Sequence, residues 1–172
     1  MSFFIFIELL LNTLFIFVDN KYEEMNIMKE NYELIEHIYE DAQMACYTLT
    51  KLTEDLKKKD NKIKNALEDI LKEYTNFKTK AKDLLKDKNE EINEKSPISK
   101  IMANMGIKKE VLMDNSDSAI AQMLIEGISM GSLDIEKKIH AYEKEDIKDQ
   151  IKFANEFLKF QEDSIDKLKK YL

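Results

Sequence analysis

Apolar residues recur along this chain in steps of three and four, the spacing that lines one face of an α-helix. Ile35, Ile38, Ala42, Ala45, Leu49, Leu52 and Leu56 form the first such stripe, widened by Tyr39 and Cys46. After the polar run Lys57 to Asp60, where Asp60 or Asn61 can cap a new helix, a second stripe follows through Ile63, Leu67, Ile70, Tyr74, Phe77, Ala81 and Leu84. The short loop between the two predicts antiparallel neighbours. A last stripe runs Ile147, Ile151, Ala154, Leu158, Gln161, Ile165, Leu168 and Leu172, with only Gln161 breaking its apolar character. Its simplest reading is a buried amide bonding across the core.

The third helix has a different pattern. From Ala119 to Ile135 the charges are Glu126 and Asp134 alone, so apolar residues surround most of the circumference. Such a helix is expected to be enclosed on several sides. Gly127 and Gly131, four residues apart, predict a close backbone approach along one line. The quartet Asp114, Asn115, Ser116 and Asp117 supplies the cap and acidic first turn.

Between the second and third helices the stretch Asn89 to Asn115 is far longer than adjacent antiparallel helices need, which predicts a crossover along the bundle. Ser96 as cap, Pro97 at the first helical position and Gly106 at the far end predict a short helix inside it, with Ile98, Ile101, Met102 and Met105 on its apolar face. The expected fold is therefore all-α, a four-helix bundle over residues 28–172 whose middle connection crosses its length and carries a short helix. The crossover helix, or a second subunit, is expected to cover what remains of the third helix.

Residues 1–27 form a separate region. The run Phe3 to Val18 is apolar but contains Glu8 and Asn12 and has no Lys or Arg before it. A spanning helix needs about 20 apolar residues with few charges, and a secretory signal needs a basic start. The leading expectation is a mis-assigned start, with Met28 as the natural one, because Glu23-Glu24 can be encoded by a ribosome-binding-like purine stretch. A membrane anchor through residues 3–18 and a cleaved signal are the alternatives.

Composition narrows the function classes. The 172 residues are 44% hydrophobic and 35% charged, as a helical protein with a proper core would be. A net charge of -7 works against unspecific binding to nucleic acid or to an anionic membrane surface. A protein partner or a homodimer remains in view, and a membrane only if residues 1–27 are retained. One cysteine, Cys46, cannot form an internal disulfide, which fits a cytoplasmic placement. No glycine-rich phosphate loop occurs.

The chemistry to test next is a carboxylate-bridged di-metal site, which takes a Glu from each of two helices and a Glu-x-x-His pair from each of the others. The chain has two histidines, His37 and His140, and the residues three places before them are Leu34 and Lys137. Around them, Glu33, His37 and Glu40 repeat the spacing of Glu136, His140 and Glu143, which a Glu-rich and Lys-rich chain produces by chance on solvated faces. Glu126, inside the apolar run, must be hydrogen-bonded, paired or protonated if buried. With Glu73 beside the second stripe it defines the alternative, a reduced site for iron, manganese or zinc. No catalytic or cofactor-binding residue is assigned, and the metal candidates are Glu73, Glu126, His37 and His140.

The helix lengths, the crossover and the segment DNSDSAIAQMLIEGISMG (Asp114 to Gly131) resemble the ferritin-like superfamily, and more narrowly small uncharacterised bacterial proteins of that fold. The resemblance covers Met28 to Leu172. It implies iron storage or oxygen and peroxide chemistry in relatives, but the Glu-x-x-His pairs that carry such chemistry are missing here. The leading expectation is therefore a structural or interaction protein, with a metal-binding protein or oxidoreductase as the alternative.

Overall fold

The computed structural model describes residues 21, 33–86, 115–142 and 147–172. Among these the ordered elements are helices: α1, helical over 33–55; α2, Lys64–Lys86; α3, Asp117–Tyr142; and α4, Lys148–Leu168, followed by a 3-10 turn, Lys169–Tyr171. They form a four-helix bundle.

Side-chain contacts fix the directions. The turn between α1 and α2 tucks Leu56 and Ile63 into the core, and Cys46 Sγ meets Thr75 Oγ1 at 3.6 Å, so the two helices run antiparallel. Along α2 and α4, Asp69 pairs with Lys167, Tyr74 with Phe160 and Phe77 with Phe153, numbers rising on one helix as they fall on the other. In the same sense, Glu33 of α1 accepts from Tyr142 of α3 at 3.0 Å, while Asp41 lies against Gly131. Hence α1 runs parallel to α4, and α2 to α3.

The parallel pair α2 and α3 begins at one end of the bundle. Asp117, the first residue of α3, accepts from the backbone N–H of Lys62 at 3.0 Å and of Ile63 at 3.4 Å, the residues that open α2. Asn61 donates to Asn115 O and to Asp117 Oδ1 at 2.8 and 2.9 Å. The 23 residues of α2 carry the chain away from this junction, at about 1.5 Å each, so the end of α2 and the start of α3 stand toward opposite ends of the bundle. These two ends are placed as the expected crossover requires, and residues 87–114 between them lie outside the described residues. The short helix expected at Ser96 to Gly106 lies outside the described residues, as does the apolar run Phe3 to Val18. No helix among the described residues is long and apolar enough to cross a membrane.

The core is built from the stripes the spacing predicts, with local rotations. Leu34, Ile38, Ala42, Leu49 and Leu56 from the first helix region meet Leu67, Ile70, Tyr74 and Ala81 of α2. At the end of α2 the buried leucine is Leu85, and Leu84 is 47% exposed, because the helix turns 100° per residue and Ala81 to Leu85 keeps the step of four. In α4 the fully buried aromatic is Phe157, one residue before the expected Leu158, and Leu172 is exposed. Phe157 and Phe160 pack edge-on to Tyr74 at 5.9 and 4.8 Å, and this demand for aromatic contact turns the α4 stripe.

Helix α3 differs most from expectation. Ile120, Ala121, Leu124, Ile128, Ile135 and Ile139 are buried, but Met130 is 73% and Leu133 54% exposed. Its apolar composition thus covers one core face and part of the outer surface.

Candidate functional site

The four residues singled out as metal candidates stand on separate surfaces. Glu73 is exposed on α2 and accepts from Asn76 at 3.5 Å, at the edge of a groove of about 330 Å³ between α2 and α4 that Asp69, Asp163 and Lys167 also line. Glu126 is exposed on α3 and accepts from Gln122 Nε2 at 3.1 Å, one turn earlier. The burial considered for Glu126 is therefore corrected: it sits on the outer face with Gly127 and Met130, where water solvates it. Lys64 to Glu73 and Asp117 to Glu126 are equal intervals, so the two acids stand at one height on parallel helices. Both point outward. His140 is exposed near the end of α3. Among the described residues no group of three or more His, Cys, Asp or Glu side chains is placed to hold a metal ion.

His37 departs from the solvated placement expected of it. It is half-buried between α1 and α3, and burial, with help from the Lys138 charge, holds its pKa below the ordinary 6.5 against the opposing pull of Asp134 and Glu33. Glu33, His37 and Asp41 are successive steps of four on α1, and Glu33 meets Lys138 at 3.4 Å and Tyr142 at 3.0 Å. These outer pairs are partly solvated and contribute little to stability.

The convergence point of the bundle lies deeper. Gln161 of α4 is completely buried, and its Nε2 donates to Asp41 Oδ2 of α1 at 2.7 Å and toward Tyr74 Oη of α2 at 3.5 Å. A Cβ placed on Gly131 of α3 would stand 2.8 Å from Asp41 Oδ2 and 3.0 Å from Gln161 Nε2. Each helix thus contributes one residue to a single polar centre. The close approach predicted for the glycine pair is found at Gly131, whereas Gly127 opens onto free space.

Electrostatics follow from that packing. Burial raises the Asp41 carboxyl to about 6, the Gln161 amide opposes the rise, and the Asp134 charge adds to it. Burial, then the nearby Asp41 charge, also pushes the Tyr74 phenol upward, so it stays protonated in any ordinary buffer. The second amide atom, Gln161 Oε1, is buried with no hydrogen-bond partner among the described residues.

The donors of this centre do not fit a di-metal site. A carboxylate, an amide, a protonated phenol and a glycine supply one negative charge, where paired metals take several carboxylates and histidines. The Gly131 backbone also closes the space beside Asp41.

Two signals could have located the centre from sequence. Gln161 is the polar residue in an apolar stripe, and Gly131 marks a line of close approach. Asp41 carries no such mark, being one charged residue beside Ala42 in a charge-rich helix. Comparison with protein-family models, with curated proteins and with solved structures returns no match to this chain.

Proposed function

We propose that this chain is a ferritin-like four-helix bundle that acts in the cytoplasm as a structural or interaction protein, without a di-iron centre. The observation that carries the reading is the filled centre. Asp41, Tyr74, Gly131 and Gln161 meet there in direct contact, leaving the position of a ferritin-like metal pair to a hydrogen-bonded trio. The parallel starts of α2 and α3, joined at Asp117, support the ferritin-like connection order. Cytoplasmic placement is supported by Cys46, a buried free thiol that an oxidising compartment would not require.

A bundle with this interior does its work through its surface, by binding protein partners or a second copy of itself. The net charge of -7 directs that surface away from nucleic acid. The test is elemental analysis of protein purified without chelators and then offered Fe(II) anaerobically, and Mn(II) and Zn(II) separately. Metal well below one equivalent supports the proposal. Near-stoichiometric tight metal would overturn it, and its loss on Glu126→Gln or Glu73→Gln would establish the alternative site.

A further inference from the structure

The buried amide at the centre of the bundle has two ends and two neighbours that can each reverse their role. With Asp41 ionised, Nε2 of Gln161 donates to the carboxylate and toward the phenol oxygen, and Oε1 has no partner among the described residues. With one proton taken from solvent onto Asp41 Oδ2 and directed at the amide, the carboxyl becomes a donor there, and its O–H would face the N–H of Nε2 across 2.7 Å, donor against donor. Tyr74 keeps its O–H throughout and can donate as readily as accept. A half-turn of the amide then points Oε1 at both groups, and it accepts one bond from Asp41 and one from Tyr74.

We propose that Asp41, Gln161 and Tyr74 form a proton-reading switch in which the orientation of the Gln161 amide reports whether Asp41 carries a proton. The two orientations occupy the same space, so Gly131 need not move. The separation of 2.7 Å between Gln161 and Asp41 Oδ2 suits an O–H···O bond at its usual length, as well as a charge-assisted N–H···O bond. The groups facing Asp41 are known from each helix. On α2 these are the phenol of Tyr74 and, on α3, the carboxylate of Asp134 beyond the uncharged Gly131. On α4 Gln161 is uncharged, and on α1 His37 lies one turn away, with the buried thiol of Cys46 near Tyr74. Burial and the Asp134 charge place the Asp41 transition at about 6, within the range a cell can impose.

The test is a titration of the whole chain by NMR between about pH 4.5 and 8, following the Asp41 carboxyl carbon and the Gln161 side-chain amide and carbonyl signals together. The expected result is one shared midpoint near 6, with the Gln161 carbonyl shift moving as its oxygen gains two donors. In Asp41→Asn, which keeps the size of the side chain, the Gln161 transition disappears; in His37→Gln it persists. An Asp41 midpoint near the ordinary carboxylate value, or an Asp41 transition that leaves Gln161 unmoved, overturns the switch. So does a Gln161 transition that survives Asp41→Asn.

Discussion

Gln161 Nε2 lies 2.7 Å from Asp41 Oδ2, joining α1 and α4 through the middle of the bundle and not along a shared outer seam. The bond is the Asp41 carboxylate's compensation for leaving water. Gln161→Leu keeps the volume and removes the donor, so the carboxylate is left buried and unsatisfied. The expected loss is about 2 to 3 kcal/mol at neutral pH. It should shrink at about pH 5, where Asp41 is protonated, and urea unfolding at the two pH values measures the difference.

Stability should depend on pH through two groups of opposite sign. Asp41 titrates at about 6 in the fold against an ordinary 3.8, so the folded protein holds that proton more tightly than the unfolded chain. Its favourable contribution is complete below 3.8 and is lost as pH rises through about 6, an effect of about 3 kcal/mol. His37, held below 6.5, behaves in reverse: its contribution is complete above 6.5 and declines as pH falls through the folded value. Asp41→Asn should therefore be more stable than the parent at about pH 7.5 and should lose that advantage near pH 4. His37→Gln should remove the opposite slope. Urea midpoints across the range read both.

The two glycines of α3 make a paired prediction. Alanine favours a helix over glycine by about 1 kcal/mol where nothing obstructs the methyl group. Gly127→Ala meets no atom within 4 Å and should gain most of that amount. Gly131→Ala places a methyl 2.8 Å from Asp41 Oδ2, and Asp41 is short, enclosed and bonded to Gln161. It should lose about 1 to 3 kcal/mol through overpacking. Thermal or urea unfolding of the two variants gives shifts of opposite direction.

The helices were legible because each core face repeats over several turns, so a local error such as Leu84 for Leu85 leaves the element intact. The length between the second and third stripes agrees with the placement of the end of α2 and the start of α3 toward opposite ends of the bundle. The centre was less so, because the burial of Asp41 depends on the missing side chain of Gly131, far along the chain, and no local pattern encodes that meeting. Glu126 was misplaced for a related reason. An apolar sequence around a helix says how much of it could be buried, and only the neighbours decide which side is; here Met130 and Leu133 share the outer face with it. His37 was read by its distance from the stripe, but a half-buried seam between α1 and α3 extends further round the helix than the stripe does.

As expected of the quartet Asp114 to Asp117, Ser116 caps α3, accepting from the Ala119 N–H at 3.2 Å, and Asp117 stands as the acid of its first turn. The Asp117 carboxylate also closes the open end of α2, accepting from Lys62 and Ile63 and from the Asn61 side chain. Asp117→Ala should thus weaken α2 as well as the junction that sets α2 beside α3. A lost cap costs about 1 to 2 kcal/mol. Asp117→Asn keeps one acceptor oxygen and should recover part of that. Burial alone would raise the Asp117 pKa, but these hydrogen bonds and the Lys62 charge outweigh it and hold it below 3.8. The cap is accordingly at full strength above 3.8 and fails as pH falls through the folded value. Amide exchange at Lys62 and Ile63 is the direct readout: both N–H groups should exchange faster in Asp117→Ala at neutral pH, while the α4 amides around Phe157 change only as far as global stability does.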